Sequence, residues 1–355
     1  MISIRVATED DLGAMSSVAT RNGIPLKADE WKDFWNANPY AKELQGIPIA
    51  FLLEADGETV GTCLNLPVMY DLDGSPVKAV LGAGAAVDPA YRSKSLMLIG
   101  KGLRQKGADV CIVGSANGAV AQLLTVIARR IPSPDSDVPL LWPVDYEAFA
   151  GAVLKRKNLP ATQVLALPAG AALRLADIFR RKRVSARVAV ELSQGFGDQF
   201  DAFWDRLRKG PRRLRAVRNR ANLEWRFRRE MRKENVRVLT VRNGGELRGY
   251  TVLVRTNRGE FGFMVHEIAD LQAAGDDPGV IQSLLIEAMN VAKSERSGML
   301  KFRAWNAAKR ALALDLGPYG YRYPLWQAYY SNANTALTSS LASAELWDFS
   351  PFEIF

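Results

Sequence analysis

A chain of 355 residues with 48% hydrophobic and 24% charged residues has a globular balance, and its length exceeds what one core usually serves, so two domains are expected. No apolar run is long enough to span a membrane, and Met1–Arg5 reads directly as a strand rather than a leader, which points to a cytoplasmic protein. The net charge of +9 is uneven, and with only Cys63, Cys111 and His266 as thiols and imidazole, a disulfide scaffold, a zinc site and a histidine-based triad are not expected.

The first clear strand, PIAFLLEAD (48–56), meets the polar turn Gly57–Gly61 and a further apolar run, which reads as a hairpin. Gly82–Val87 is a strand of small residues that runs into a basic turn, Asp88–Lys94. A helix follows at once, with Leu96, Ile99, Gly100 and Leu103 on one face. Val110–Gly114 reads as the next strand, and Val120, Leu123, Leu124 and Ile127 as the apolar face of the helix after it. The basic turn is a ready-made anion site. Free backbone N–H groups and the positive end of the helix dipole meet there, and Arg92 and Lys94 add full charges, which suits a pyrophosphate.

Pro132, Pro134, Pro139 and Pro143 favour a strand or extended linker, and Pro160 and Pro168 follow. Residues 169–183 (AGAALRLADIFRRKR) then read as an amphipathic helix that docks between the domains or lies on an anionic membrane surface, the first being preferred because the apolar face is short. Residues 180–237 carry 19 Lys+Arg against 7 Asp+Glu, while the rest of the chain is slightly acidic. Such a segment suits an anionic membrane surface or a phosphorylated substrate, with nucleic acid second because no nucleic-acid-binding signature accompanies it. The plainer alternative is a solvated helical face.

Landmarks of the first half recur in the second. Gly57–Gly61 (GETVG) returns 188 residues later as Gly245–Gly249 (GELRG), each after an apolar strand. Trp35 and Trp225 precede the two units. Asn117 and Asn306, 189 residues apart, each open a helix after a strand. The pattern is two copies of one α/β unit in tandem. The second copy has no basic turn: its helix, with Ile281, Leu284, Leu285 and Met289, opens on Asp276 and Asp277, which repel phosphate.

Residues 81–130 resemble the acyl-CoA-binding core of the GNAT acyltransferase superfamily, which places a [QR]-x-x-G-x-[GA] turn between a strand and the next helix. Arg92, Ser93, Lys94, Ser95, Leu96 and Met97 occupy that turn here. Ser95 stands where the family prefers glycine, and Met97 where it prefers a small residue. The resemblance implies two GNAT-like units, each a mixed, mostly antiparallel sheet flanked by helices, an α/β (α+β) fold. Residues 1–150 would form the acyl-CoA-binding unit, 151–186 a linker with an amphipathic helix, and 187–355 a unit with a degenerate cofactor site. It further implies acetyl-CoA or another acyl-CoA as cofactor, with no metal. Ala86 and Val87 would pair with pantetheine, the amides of Ser93–Met97 would hold pyrophosphate, and Asn117 would help hold pantetheine, its alternative being an ordinary helix cap.

The activity implied is N- or O-acylation of a small-molecule or carbohydrate acceptor. The alternative is a non-catalytic acyl-CoA-binding or interaction protein with a basic surface. Catalytic side chains are not legible. The helix after Asn117 lacks the tyrosine that often serves the family as acid, Cys63 and Cys111 have no basic neighbour, and nothing marks Asp88 or Glu54 as a base. The aromatic loop 316–330 and the segment 345–355 are candidate linings for an acceptor cleft between the halves, a capped core being the preferred reading of 345–355.

Overall fold

The computed structural model describes all residues except 25–26, 117, 134, 136–137, 159–161, 181–185, 259–260, 321–326 and 355. The chain opens with β1 (Ile2–Val6), α1 (Leu12–Arg21) and α2 (Ala28–Asn36), then the hairpin of β2 (Ala50–Ala55) and β3 (Glu58–Leu72). Asp56 and Gly57 turn that hairpin at φ of 50° and 88°, the left-handed pair that two-residue hairpin loops require. A second tight turn leads to β4 (Ser75–Val87). A 3-10 turn, Pro89–Lys94, then feeds α3 (Ser95–Leu103), and β5 (Val110–Ala116) returns parallel to β4. After α4 (Gly118–Ile127) come β6 (Arg129–Arg130), β7 (Leu140–Pro143), and a helical hairpin of α5 (Tyr146–Arg156) and α6 (Thr162–Arg180).

The second unit repeats the order. It comprises β8 (Glu191–Ser193), α7 (Gln199–Leu207), the short β9 (Arg215–Ala216), α8 (Arg220–Arg232), and the hairpin of β10 (Val236–Asn243) and β11 (Glu246–Arg258). Gly244 and Gly245 turn that hairpin at φ of 58° and 83°, so Gly57 and Gly245 hold the same turn position. Then follow β12 (Phe263–Ala273), α9 (Pro278–Ser294), β13 (Met299–Phe302) parallel to β12, and α10 (Ala307–Leu314). Asn306 caps α10, accepting from the Lys309 N–H at 3.0 Å. Its expected counterpart, Asn117, lies outside the described residues. β14 (Tyr319–Gly320), β15 (Gln327–Asn332) and α11 (Thr338–Leu341) complete the chain.

Among the described residues the strands form sheets of eight and seven, ordered β1-β2-β3-β4-β5-β15-β6, with β9 beside β3, and β14-β7-β13-β12-β11-β10-β8. The units exchange strands. β7 pairs antiparallel with β13 of the second sheet, and β15 pairs antiparallel with β5 of the first. Sheet membership therefore crosses the boundaries at 150 and 187 that the sequence suggests. The core crosses them too. Phe200, Phe203, Trp225 and Tyr250 pack in one cluster with Met15, Leu66 and Tyr70, and the Trp225 indole donates to the Phe34 carbonyl at 2.8 Å.

Several expectations are revised. The helix expected from residue 169 begins at Thr162 and carries Pro168 within it. It packs on α5 rather than between the sheets, crossing so closely that a Cβ on Gly170 would come 2.9 Å from the Glu147 backbone. The basic segment divides between core and surface, and Arg228, Arg229, Arg232 and Lys233 of α8 are exposed. Arg215 and Arg218 are buried, and Arg213, Arg220 and Arg237 pair with Asp276, Asp198 and Glu295. Residues 181–185 lie outside the described residues. His266 is a core residue, its Nδ1 2.7 Å from Ser297 Oγ and its Nε2 3.2 Å from Glu295. Cys63 and Cys111 are buried thiols, pushed up by burial to about 12 and about 11, and so are inert near neutrality.

Candidate active site

The expected strand–turn–helix is present, and β4 brings it to an opening in the first sheet. β4 and β5 pair from Ala79↔Val110 to Gly82↔Val113 and no further. Ala83–Val87 therefore lack a partner strand on the β5 side, and the two strands part into a wedge. A bulge shapes the same stretch, because Thr62 faces Ala86 and Leu64 faces Ala83, leaving Gly84 and Ala85 opposite Cys63. Gly84 sits at φ 56°, and a Cβ there would come 2.6 Å from the Leu64 side chain. Glycine alone meets both demands.

Beyond the wedge, Ser95 opens α3 with no side-chain cap. Arg92 and Ser93 are exposed and Lys94 is half-buried. Arg92 and Lys94 form no ion pair among the described residues, so two cations stand beside the positive end of α3, where the Ser95 N–H itself donates to the Arg92 carbonyl. Leu98, Ile99 and Leu103 anchor α3, whereas Leu96 is half-buried and Met97 largely exposed. The nearby carboxylates are engaged. Asp88 accepts from Arg21 and Asn22, which hold it below the usual carboxylate range, and Glu54 accepts from Arg5 at 2.7 Å.

The second unit closes the equivalent places. Its β12–β13 pairing stops at Ile268↔Phe302, leaving a similar wedge. There the Lys309 ammonium donates to Asp348 at 2.7 Å and to Gln272 at 3.0 Å, while Arg218 donates to Asp270 and to Glu353 at 2.8 Å. At the start of α9 the Asp277 carboxylate accepts from the amides of Gly279 and Val280 at 2.8 and 3.2 Å. The amides that would meet a phosphate are already satisfied.

A cavity of about 360 Å³ lies between α2, α8 and the bulge of β4. Trp31, Phe34, Leu64 and Ile354 form its apolar part, and Ala83 and Gly84 bound it at the wedge. Glu30 and Asp33 of α2 meet Arg229, Arg228 and Arg232 of α8 at its rim. Arg226 donates to the carbonyls of Phe352 and Ile354 at 2.5 and 2.6 Å, which fixes the end of the chain against the opening. Ile354 also reaches β5, where a Cβ on Gly114 would come 3.1 Å from it. The lining carboxylates are Glu30, Asp33 and Glu230, and of these only Glu230 forms no ion pair among the described residues.

Of the expected site residues, β4, the turn and α3 bring together Ala86, Val87, Arg92, Ser93, Lys94, Ser95, Leu96 and Met97. The cavity was not foreseen. The described part of the aromatic loop does not line it, and its residues come from five separate stretches of chain. One signal was available: acidic residues on α2 complement the basic face of α8.

No family model matches the sequence, and no curated protein matches it. Solved structures do resemble it. A GCN5-related N-acetyltransferase from Kribbella flavida superposes with a TM-score of 0.54 at 14% identity, over 94% of this chain and 71% of that one. A probable N-acyltransferase of unknown function from Enterococcus faecalis V583 gives 0.57 at 10% identity, over 94% and 73%. Eis1 from Mycobacterium abscessus gives 0.51 at 12% identity, over 97% and 76%. At these identities the likeness speaks for the fold. The chain has the fold of the GCN5-related N-acetyltransferases.

Proposed function

We propose that the protein is an acyl-CoA-dependent acyltransferase, with the acyl donor held along β4 of the first unit and the acceptor in the cavity between α2 and α8. One observation carries this reading: Ala83 and Gly84 belong to both the wedge and the cavity, so a donor along β4 and an acceptor in the cavity would meet. The residues suit the donor. The free edge of Ala83–Val87 offers backbone groups to pantetheine amides, and Arg92, Lys94 and the positive end of α3 offer charge to a pyrophosphate. Acetyl-CoA is the simplest donor.

When bound, the donor supplies an activated thioester carbonyl. The acceptor's amine or hydroxyl forms the new C–N or C–O bond as the C–S bond breaks, and the departing thiolate takes up a proton from solvent to leave as free CoA thiol. Glu230 is the lining carboxylate not held by an arginine, and is the group proposed to take the acceptor's proton. The second unit is proposed to be a degenerate copy, because Asp277 occupies the amides at the start of α9.

The test uses the full chain. Calorimetry with acetyl-CoA should show one site per chain, and a thiol reagent should detect CoA release with a suitable amine. Glu230→Gln should lower kcat at least tenfold while leaving acetyl-CoA binding unchanged. A second reading, a non-catalytic acyl-CoA-binding protein, is favoured by Ser95 and Met97 standing in the turn. Binding without CoA release across a broad panel of amines and alcohols would establish it. No binding of acetyl-CoA would defeat both.

A further inference from the structure

We infer that the acceptor taken by the cavity is an amphipathic anion: an apolar or aromatic body carrying a carboxylate or phosphate, beside its nucleophilic group. This rests on the cavity being the acceptor site. The lining supplies Lys27, Arg226, Arg228, Arg229, Arg232 and Lys233 against Glu30, Asp33 and Glu230. Pairing within the fold does not balance that excess. Asp33 serves both Arg228 at 3.5 Å and Arg232 at 2.7 Å, while Glu30 serves both Lys27 at 3.5 Å and Arg229 at 3.0 Å. Two carboxylates shared among four cations leave a positive rim. A cationic or polycationic acceptor would meet repulsion there, whereas guanidinium groups match the geometry of an oxyanion.

The interior asks for a different group. Trp31 and Phe34 pack at 5.9 Å, Phe34 stacks on Trp225 at 4.7 Å, and Leu64 and Ile354 complete an apolar wall. Within that wall the indole Nε1–H of Trp31, a residue only 8% exposed, has no hydrogen-bond partner. A buried donor left unmade costs about 1–3 kcal/mol, so a ligand that presents an acceptor atom gains from it. The volume is of the size that small-molecule sites use.

Calorimetry on the full chain with four probes tests the inference: 4-phenylbutyrate, phenyl phosphate, phenethylamine and glucosamine. One or both of the two anions should bind at least tenfold more tightly than the amine or the sugar, and which of them binds better identifies the oxyanion. Arg228→Ala with Arg229→Ala should weaken the anions tenfold or more. Trp31→Phe, which keeps an aromatic ring and removes the N–H, should weaken them several-fold. Thermal melts confirm that the variants are folded. Preference for phenethylamine or glucosamine, indifference to the arginine substitutions, or no binding of any probe overturns the inference. Acetyl-CoA binding, measured separately, reports on the donor site. Its failure alongside anion binding would sink the acyltransfer reading and leave the anion site standing.

An independent observation concerns α6. A surface helix normally turns a polar face outward, yet Val164 and Phe179 are 76% and 88% exposed, and Leu167, Leu175 and Ile178 are exposed with them. No charged residue stands between Thr162 and Leu173. The exposed charges beyond are the cations Arg174 and Arg180. The helix's one acid, Asp177, is buried and accepts from the hydroxyls of Tyr146 and Tyr319 at 2.8 Å. Lys155 and Lys157 are exposed at the end of α5. Apart from Asp145 and Glu147, exposed at the start of α5, the charges around this apolar face are cations, which complements an anionic bilayer surface, and no described helix is long and apolar enough to cross one. The geometry points to α6 lying in the interface of an anionic membrane.

Co-sedimentation with vesicles of phosphatidylcholine and phosphatidylserine at 3:1 should retain the protein at low salt, and pure phosphatidylcholine should retain far less. Ile178→Glu with Phe179→Glu should abolish retention without lowering Tm, and a matched Ile178→Ser with Phe179→Ser pair should weaken it. Absence of retention at low salt overturns the proposal. So does a dimer, seen by light scattering, that these substitutions dissociate, because a second copy would then be what covers the face.

Discussion

Gly84 stands where backbone conformation and space give the same restriction. An L side chain at φ 56° costs about 1–2 kcal/mol, and contact with Leu64 adds to it. Gly84→Ala should therefore destabilise the protein by about 2 kcal/mol in urea titration and weaken acetyl-CoA, since the bulge shapes the free edge of β4. A variant as stable as the parent would show that the bulge is not constrained. Glu353 makes a second residue-scale prediction. Burial, outweighing the attraction of Arg218, pushes its carboxyl up to about 7 from an ordinary 4.5. The folded state then holds a proton that the unfolded state releases. The contribution of that proton is complete below about pH 4.5 and is lost as pH rises through about 7. Against Glu353→Gln, the parent should thus lose Tm progressively between pH 5 and 8, and parallel curves would refute the shift.

At the scale of elements, the starts of α3 and α9 differ in charge: Arg92 and Lys94 stand beside the first, and the Asp277 carboxylate caps the second. Arg92→Glu with Lys94→Glu should weaken acetyl-CoA at least tenfold with Tm unchanged. Asp277→Ala should cost about 1 kcal/mol of stability through the lost cap and create no second acetyl-CoA site. These elements were legible because their signals are local. Periodicity marks α3, turn chemistry marks Gly57 and Gly245, and the small residues of 82–87 mark the strand that parts from β5. The bulge, the exchange of β7 and β15, and the cavity were not legible. β7 spans Leu140–Pro143 and finds its partner β13 more than 150 residues away. A short apolar run carries no mark of the sheet it will join. The cavity draws on α2, Leu64 of β3, the β4 bulge, α8 and Ile354, whose meeting only the packing decides. The exposed face of α6 was misjudged because periodicity locates an apolar stripe without saying whether anything covers it.

Three kinds of contact join the two units. The strands β7 and β15 are exchanged, so that each unit supplies the neighbour of the other's parallel pair. A single core runs from Met15 and Tyr70 into Phe203 and Tyr250. Between the sheets, Arg215, Arg218 and Lys309 meet Asp270, Asp348 and Glu353 with no exposure to water to speak of. Removing one partner from such a buried pair costs about 3–5 kcal/mol, because the other charge is left without compensation. Arg218→Ala should accordingly lower stability by at least that range and affect both units at once, since Arg218 binds Asp270 of β12 and Glu353 of the closing segment together. Calorimetry of the full chain should give one cooperative transition, with the calorimetric and van't Hoff enthalpies equal, in the parent and in the variant alike. Residues 1–150 and 187–355 prepared apart should each show little native near-ultraviolet dichroism, each lacking a strand and half a core. Two resolved transitions, or a native-like fragment, would mean that the units fold independently and that the exchanged strands merely decorate them.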